Sequence, residues 1–338
     1  MRRVVTGAAV ASLLAVLAWF GLSEGGQKRE GVETGNALTT VAEIEPSGES
    51  YKGFERGEAL ITVEELKRLI RARDPKLVLL AVVDPFSYRA GHIPRSINLW
   101  RPDYEPSFGQ RYPFDGMMVD RDEFQELARD LGIDNDSKVV VYDEKYDATR
   151  VWWAFYLYGK TDVRVLDGGY RAWKAAGYDT DMSLTRSRGG NKGSLLAEQP
   201  RPGWIASMED VRRAQTSEDI QLWDTREPDE WSGAAKKGIA RRAGRIPWAT
   251  FQSWQEYRLT IDEKPAGFKT AAEIQAVIDK FAMNPGKDQI FYCHSGVRTT
   301  SAIFTLYLMG WDPDRLHNYD GSWLEWSYHE DNPISTGQ

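Results

Sequence analysis

Between residues 57 and 330 the chain passes through one order of segments twice, and this duplication constrains the fold more than any other feature. Each copy opens with a helical stretch and then an apolar strand ending in an aspartate: residues 63–72 and 77–83 before Asp84, and residues 207–214 and 220–223 before Asp224. Both continue into a loop that closes in nearly the same words, Ala90-Gly91-His92-Ile93-Pro94 and Ala243-Gly244-Arg245-Ile246-Pro247. A second strand follows, leading to Asp143 in the first copy and to Cys293 at the matching place in the second. An apolar helix then brings each copy to a closing motif, Asp167-Gly168-Gly169-Tyr170 or Asp320-Gly321-Ser322-Trp323. Strands alternating with helices specify an α/β chain of two tandem domains, each a parallel sheet flanked by helices on both faces. Loops at the carboxyl ends of such strands carry the chemistry, and Asp84, Asp143, Asp224 and Cys293 all stand there.

Cys293 is the chain's single cysteine. Ile290, Phe291 and Tyr292 before it read as a buried strand. The run after Arg298 reads as a helix, with Thr299 and Thr300 as caps and Gly310 as its end. Between them lie His294, Ser295, Gly296, Val297 and Arg298, a loop in which backbone N–H groups can converge and the helix dipole favours negative charge. Such a place stabilises a thiolate. A lone cysteine is ordinarily a small buried hydrophobe; the glycine-containing loop and its terminal arginine point here to a reactive thiol.

A net charge of −7, with no basic domain or arginine-rich arm, excludes a nucleic-acid binder. One cysteine leaves no internal disulfide and no cysteine-built zinc site, and His92, His294, His317 and His329 lack metal-ligand spacing, so no metal or other cofactor is expected. At the N-terminus Arg2 and Arg3 precede an uncharged stretch, residues 4–22, in the layout of an export signal that is either cleaved or kept as a membrane anchor. The expected organisation is a signal peptide or anchor at 1–23, a flexible tether at 24–56, a first domain at 57–178, a linker at 179–203, a second domain at 204–330 and a tail at 331–338. Export would place the pair in the periplasm or cell envelope.

The loop from Cys293 to Arg298, the Asp224-Thr225-Arg226 opening with Glu230-Trp231 after it, the two Gly-x-Ile-Pro elements and the closing motif of residues 319–326 together resemble tandem-domain rhodanese-like sulfurtransferases. The resemblance covers about residues 57 to 330. It implies two rhodanese folds of which the second is catalytic, since a carboxylate at Asp143 can form no persulfide and repels an anion. It also implies that Cys293 takes a sulfur from a small anionic donor such as thiosulfate or 3-mercaptopyruvate and passes it, as a persulfide, to cyanide or a thiol. The alternative is a persulfide-carrying relay that serves a dedicated protein acceptor. Cysteine phosphatases place five residues between cysteine and arginine; four stand here, a smaller ring that suits sulfur better than phosphate. Mitochondrial thiosulfate-specific members carry basic residues where this chain has His294, Ser295 and Glu230, which leaves the donor open.

Around the loop, backbone N–H groups from His294 to Arg298 are expected to stabilise the sulfur, with Ser295 as a further donor and Arg298 orienting the donor or bracing the loop. Asp224 and Arg226 are expected to brace it through hydrogen bonds and a salt bridge to Glu230. The basic group Lys236, Lys237, Arg241 and Arg242 reads as a solvated loop that can also draw anions to the cleft. The segment carrying Trp152 and Trp153 is expected to be amphipathic.

Overall fold

In the computed structural model, residues 50–106, 109–183, 191–261 and 264–337 are described; the expected signal segment at residues 1–23 lies outside them. The first copy forms a parallel five-stranded sheet from β1 (Leu60–Ile61), β2 (Leu77–Val82), β3 (Ile97–Leu99), β4 (Lys138–Tyr142) and β5 (Val163–Leu166), in the order β1-β5-β4-β2-β3. The second forms another from β6 (Ile205–Ala206), β7 (Ile220–Asp224), β8 (Thr250–Phe251), β11 (Asp288–Tyr292) and β12 (Leu316–Tyr319), in the order β6-β12-β11-β7-β8. Counted within each copy, the two orders are the same, so the sequence repeat is a repeat of topology. An antiparallel hairpin, β9 (Arg258–Ile261) and β10 (Lys264–Phe268), is inserted into the second copy alone among the described residues.

The strands at the centre are apolar throughout because helices cover both faces. β2 is buried at every position, and in β11 every residue after Asp288 is buried. In each copy the isoleucine of Gly-x-Ile-Pro donates its N–H to the tyrosine that ends the second strand: Ile93 to Tyr142 at 3.0 Å, Ile246 to Tyr292 at 3.2 Å. These elements are architectural, and they pin the loop before each sheet to the strand that delivers Asp143 or Cys293.

The end of the expected tether, part of the linker and the tail are all packed. Phe54 is fully buried and Lys52 pairs with Asp167, so the tether reaches no further than about residue 50. Within the linker, Leu195 is buried and Gly193 and Leu195 donate to Arg129 and Ile133 carbonyls, laying the chain against the first domain. In the tail, Ser335 and Arg245 exchange backbone hydrogen bonds and Pro333 accepts from the Trp326 indole. Apolar or β-bridging residues hidden among polar neighbours account for all three.

The helix Asp147–Leu157 departs further from expectation: it is buried all round, not amphipathic. It packs against the helix Thr299–Leu308 of the second domain, with the Thr149 and Thr300 hydroxyls 2.9 Å apart and Trp152 edge-on to Phe304 at 4.6 Å. One hydrophobic core therefore runs through both domains, from Phe54 and Trp153 to Phe304 and Leu316. The N-terminal turns of the two helices meet at this seam, which brings the Asp143 and Cys293 loops to the same side of the molecule.

Candidate active site

Cys293 follows β11, flanked in the sheet by β7 and β12. Its backbone is tied on both sides: its N–H donates to Ser322 Oγ at 3.1 Å and its carbonyl accepts from Trp323 at 3.0 Å. The His294 carbonyl accepts from Leu324 at 3.1 Å. The closing motif is thus the clamp that holds the main chain at Cys293, as Tyr170 holds the Asp143 carbonyl in the first copy.

Thr299 and Thr300 do not cap the following helix. They lie inside its first turn and donate back to the Gly296 and Val297 carbonyls at 2.7 Å, and the N-cap is Arg298. Gly296 turns the loop with φ +71, in the left-handed region that favours glycine. Back-bonding consumes the loop's carbonyls and leaves its N–H groups for the sulfur.

Cys293 is 1% exposed. Burial alone would raise its pKa, yet the Arg298 guanidinium and the N–H groups of Thr299, Ser295 and Arg298 hold it below the ordinary thiol value. Thr299, outside the loop expected from the sequence, joins the stabilising set. Ser295 packs against Gly116 of the first domain, so closely that a Cβ on Gly116 would collide with the Ser295 Cβ.

The supporting salt bridge is not the expected one. Arg226 closes on Asp224, with Nη2 2.6 Å from Oδ2, and caps the Gly244 carbonyl; Tyr292 donates to the same carboxylate at 2.6 Å. Glu230 instead binds Arg298 through both oxygens, at 2.6 and 2.9 Å. The helix Pro228–Ser232 turns Glu230 toward the loop, whereas Arg226, two residues after Asp224, can chelate its own strand-end carboxylate. Burial opposes the Glu230 charge, but Arg298 dominates and brings its pKa down to about 2. Glu227 lies 3.7 Å from Arg298 and accepts from Trp254, which is 4.9 Å edge-on from Tyr146 of the first domain.

His294 is largely buried, and desolvation pushes its pKa down to about 4 despite Glu230 at 3.9 Å; it is neutral near pH 7. Of the basic group, Arg242 is consumed in binding the carbonyls of Trp326, Ser327, His329, Glu330 and Asn332, and Arg241 lies over Tyr328. Lys237 is half exposed, 3.9 Å from Glu230, at the rim beside His294.

In the first copy the Asp143 carboxylate accepts the Ala148 N–H at 2.7 Å, filling its own loop. Burial, opposed by Arg258, raises it to about 6. One residue that sequence reasoning passed over entirely is Arg150, fully buried at the start of the helix Asp147–Leu157 and in contact with the second domain's loop. A single arginine among apolar neighbours was the only trace of it.

Residues 62–176 and 207–329 each match the rhodanese-like domain. The chain belongs to the rhodanese-like family. This rhodanese-like chain is 33% identical over 267 residues to a thiosulfate sulfurtransferase of Corynebacterium glutamicum, covering 75% of this chain and 83% of that one. It is 30% identical to the sulfur carrier protein TtuD of Thermus thermophilus, over 78% of this chain and 93% of that one. Among solved structures, the anaerobic ergothioneine biosynthesis enzyme of Chlorobium limicola matches with a TM-score of 0.73 and 25% identity, covering 84% of this chain and 72% of that one.

Proposed function

We propose that this rhodanese-like chain is a sulfurtransferase that carries a sulfane sulfur on Cys293. The observation that carries the reading is the buried thiol under three backbone N–H groups and the Arg298 guanidinium, a thiolate made stable without a general base. The thiolate attacks the outer sulfur of an anionic donor; a new S–S bond forms at Cys293, and the donor's bond to that sulfur breaks with its electron pair leaving on sulfite or an enolate. An acceptor, cyanide or a thiolate, then attacks the outer persulfide sulfur and the Cys293 thiolate departs, so two-step ping-pong kinetics follow. The same N–H groups hold negative charge in every state.

With both terminal nitrogens of Arg298 engaged by Glu230, the anionic end of the donor falls to the rim, where Lys237 can meet it. Thiosulfate-type donors fit this charge, and the C. glutamicum relative supports them. The first domain is the non-catalytic partner, its loop closed by Asp143. The T. thermophilus relative favours a second reading, in which Cys293 passes its sulfur to a protein acceptor. Arg2 and Arg3 ahead of the uncharged residues 4–22 support export, with the domains periplasmic or held at the cell envelope.

Intact mass after incubation with thiosulfate or mercaptopyruvate tests the chemistry. A gain of about 32 Da, lost on adding cyanide and absent in Cys293→Ala, is the expected result; no gain with either donor would overturn the reading. Cell fractionation with and without residues 1–23 tests the location.

A further inference from the structure

The first domain sends one charged side chain into the reactive loop. Arg150 is 0% exposed and donates Nη1 to Asp320 Oδ1 at 2.5 Å and to the Gly296 carbonyl at 3.2 Å, and Nη2 to the Gly116 carbonyl at 2.9 Å. Its guanidinium lies 4.8 Å from the Trp153 ring centroid. Burying a guanidinium costs several kcal/mol even when paired, and an apolar side chain would more simply extend the apolar stretch that follows, residues 151–157. The pairing is therefore a poor device for stability alone.

The contacts show what it accomplishes. Gly296 O is held by three donors, Arg150, Asn318 Nδ2 at 3.2 Å and Thr299 Oγ1 at 2.7 Å. With that oxygen held, in part from the first domain, the N–H groups of Ser295, Arg298 and Thr299 on either side of it are the groups offered to Cys293. Asp320, the counter-ion, is itself joined to the first domain, its second oxygen accepting Met118 N–H at 2.7 Å. The device is reciprocal: Arg258 of the second domain donates Nη2 to the Lys145 carbonyl at 2.9 Å, in the first copy's loop. Only one of the two loops it braces holds a thiol.

We propose that Arg150 is a positioning residue for sulfur transfer: from the non-catalytic domain it fixes the Gly296 carbonyl and Asp320 so that the loop's N–H groups stay converged on Cys293. The proposal rests on Cys293 as the nucleophile. It makes the first domain part of the second domain's active site.

The test reads the acidity of Cys293 by the pH profile of its alkylation with iodoacetamide, a measurement independent of any sulfur donor. The charged and titratable groups that bear on the profile are Arg298, Glu230, His294 and Lys237 from the second domain, with Asp320 behind the loop, and Tyr146, Glu105 and Arg150 from the first. In full-length Arg150→Gln the midpoint moves up by about one pH unit, and persulfide formation from thiosulfate slows about tenfold or more. Arg150→Lys recovers little of either, because an ammonium that reaches Asp320 cannot also hold two carbonyls in a fork. Gly116→Ala leaves every charge in place and presses on Ser295 from the same side; it moves the midpoint the same way and keeps the test decisive if the Arg150 variants do not fold. An unchanged midpoint in any Arg150 variant that folds, even with a lowered melting temperature, would make the role merely structural and overturn the proposal, and if neither folds an unchanged midpoint in Gly116→Ala does so. Should the wild type gain no sulfur from any donor, the sulfur-transfer reading fails by itself, and the alkylation profiles still decide the role of Arg150.

Discussion

Glu230 and His294 sit side by side at the thiol and titrate in separate windows. Glu230 has its folded pKa lowered to about 2, so the stability it contributes is present above the unfolded carboxylate range and is lost as the pH falls toward 2. His294 is held neutral, with a folded pKa of about 4 against an ordinary 6.5; its contribution is present above 6.5 and disappears as the pH falls from 6.5 to 4. Relative to His294→Gln, the wild type should therefore lose on the order of 3 kcal/mol at most between those limits, read by denaturant unfolding at a series of pH values. A parallel pair of stability curves would contradict the buried neutral imidazole. Glu230→Ala leaves Arg298 buried without its bidentate partner, and a loss of about 3–5 kcal/mol is expected in the same assay. At this scale the setting of Cys293 was legible, because a cysteine between a strand and a glycine-containing loop meets converging N–H groups. The partner of Glu230 was not: which of Arg226 and Arg298 meets it depends on how the short helix Pro228–Ser232 is turned, and that is set by packing.

The loop between β11 and the helix Thr299–Leu308 works because its carbonyls are occupied and one of its residues adopts a positive φ. A Cβ on Gly296 would stand 2.8 Å from the Asp320 carbonyl and 2.9 Å from its carboxylate, in addition to the backbone strain. Gly296→Ala is expected to cost about 1–3 kcal/mol in thermal or denaturant unfolding and to slow persulfide formation in the fraction that remains folded. Wild-type stability in that variant would mean the loop can be rebuilt without the turn. Element types and order followed from periodicity, and Ser207 caps its helix with Asp210 as the local sequence requires. The helix Asp147–Leu157 was misread because a polar first turn and a paired tryptophan look amphipathic in one dimension. Its second apolar face is buried by a helix more than a hundred residues away, which no local window contains. The same holds for Thr299 and Thr300, whose hydroxyls were competent to cap but meet nearer carbonyls.

Of the three hydrophobic clusters among the described residues, the one at the seam is built from both domains, so the two domains should not unfold separately. A single transition is expected by calorimetry, with calorimetric and van't Hoff enthalpies in agreement, and two resolved transitions would show that the seam is weaker than its packing implies. Duplication was readable from end to end in the matched motifs; the docking of the copies was not, because Arg150, Trp152 and Phe304, which pack at the seam, lie outside the repeated words, and nothing local marks Asp320 as the cross-domain partner of Arg150. The seam also bears on how the chain comes to be folded. The shared core joins residues as far apart in sequence as Phe54 and Leu316, so a chain emerging N-terminus first cannot close it until its last portion is available. Until then Trp152, Trp153 and their neighbours have no second face to lie on. The duplicated chain thus carries a built-in delay between synthesis and completion, during which its most aromatic helix is exposed and the thiol has no finished loop around it.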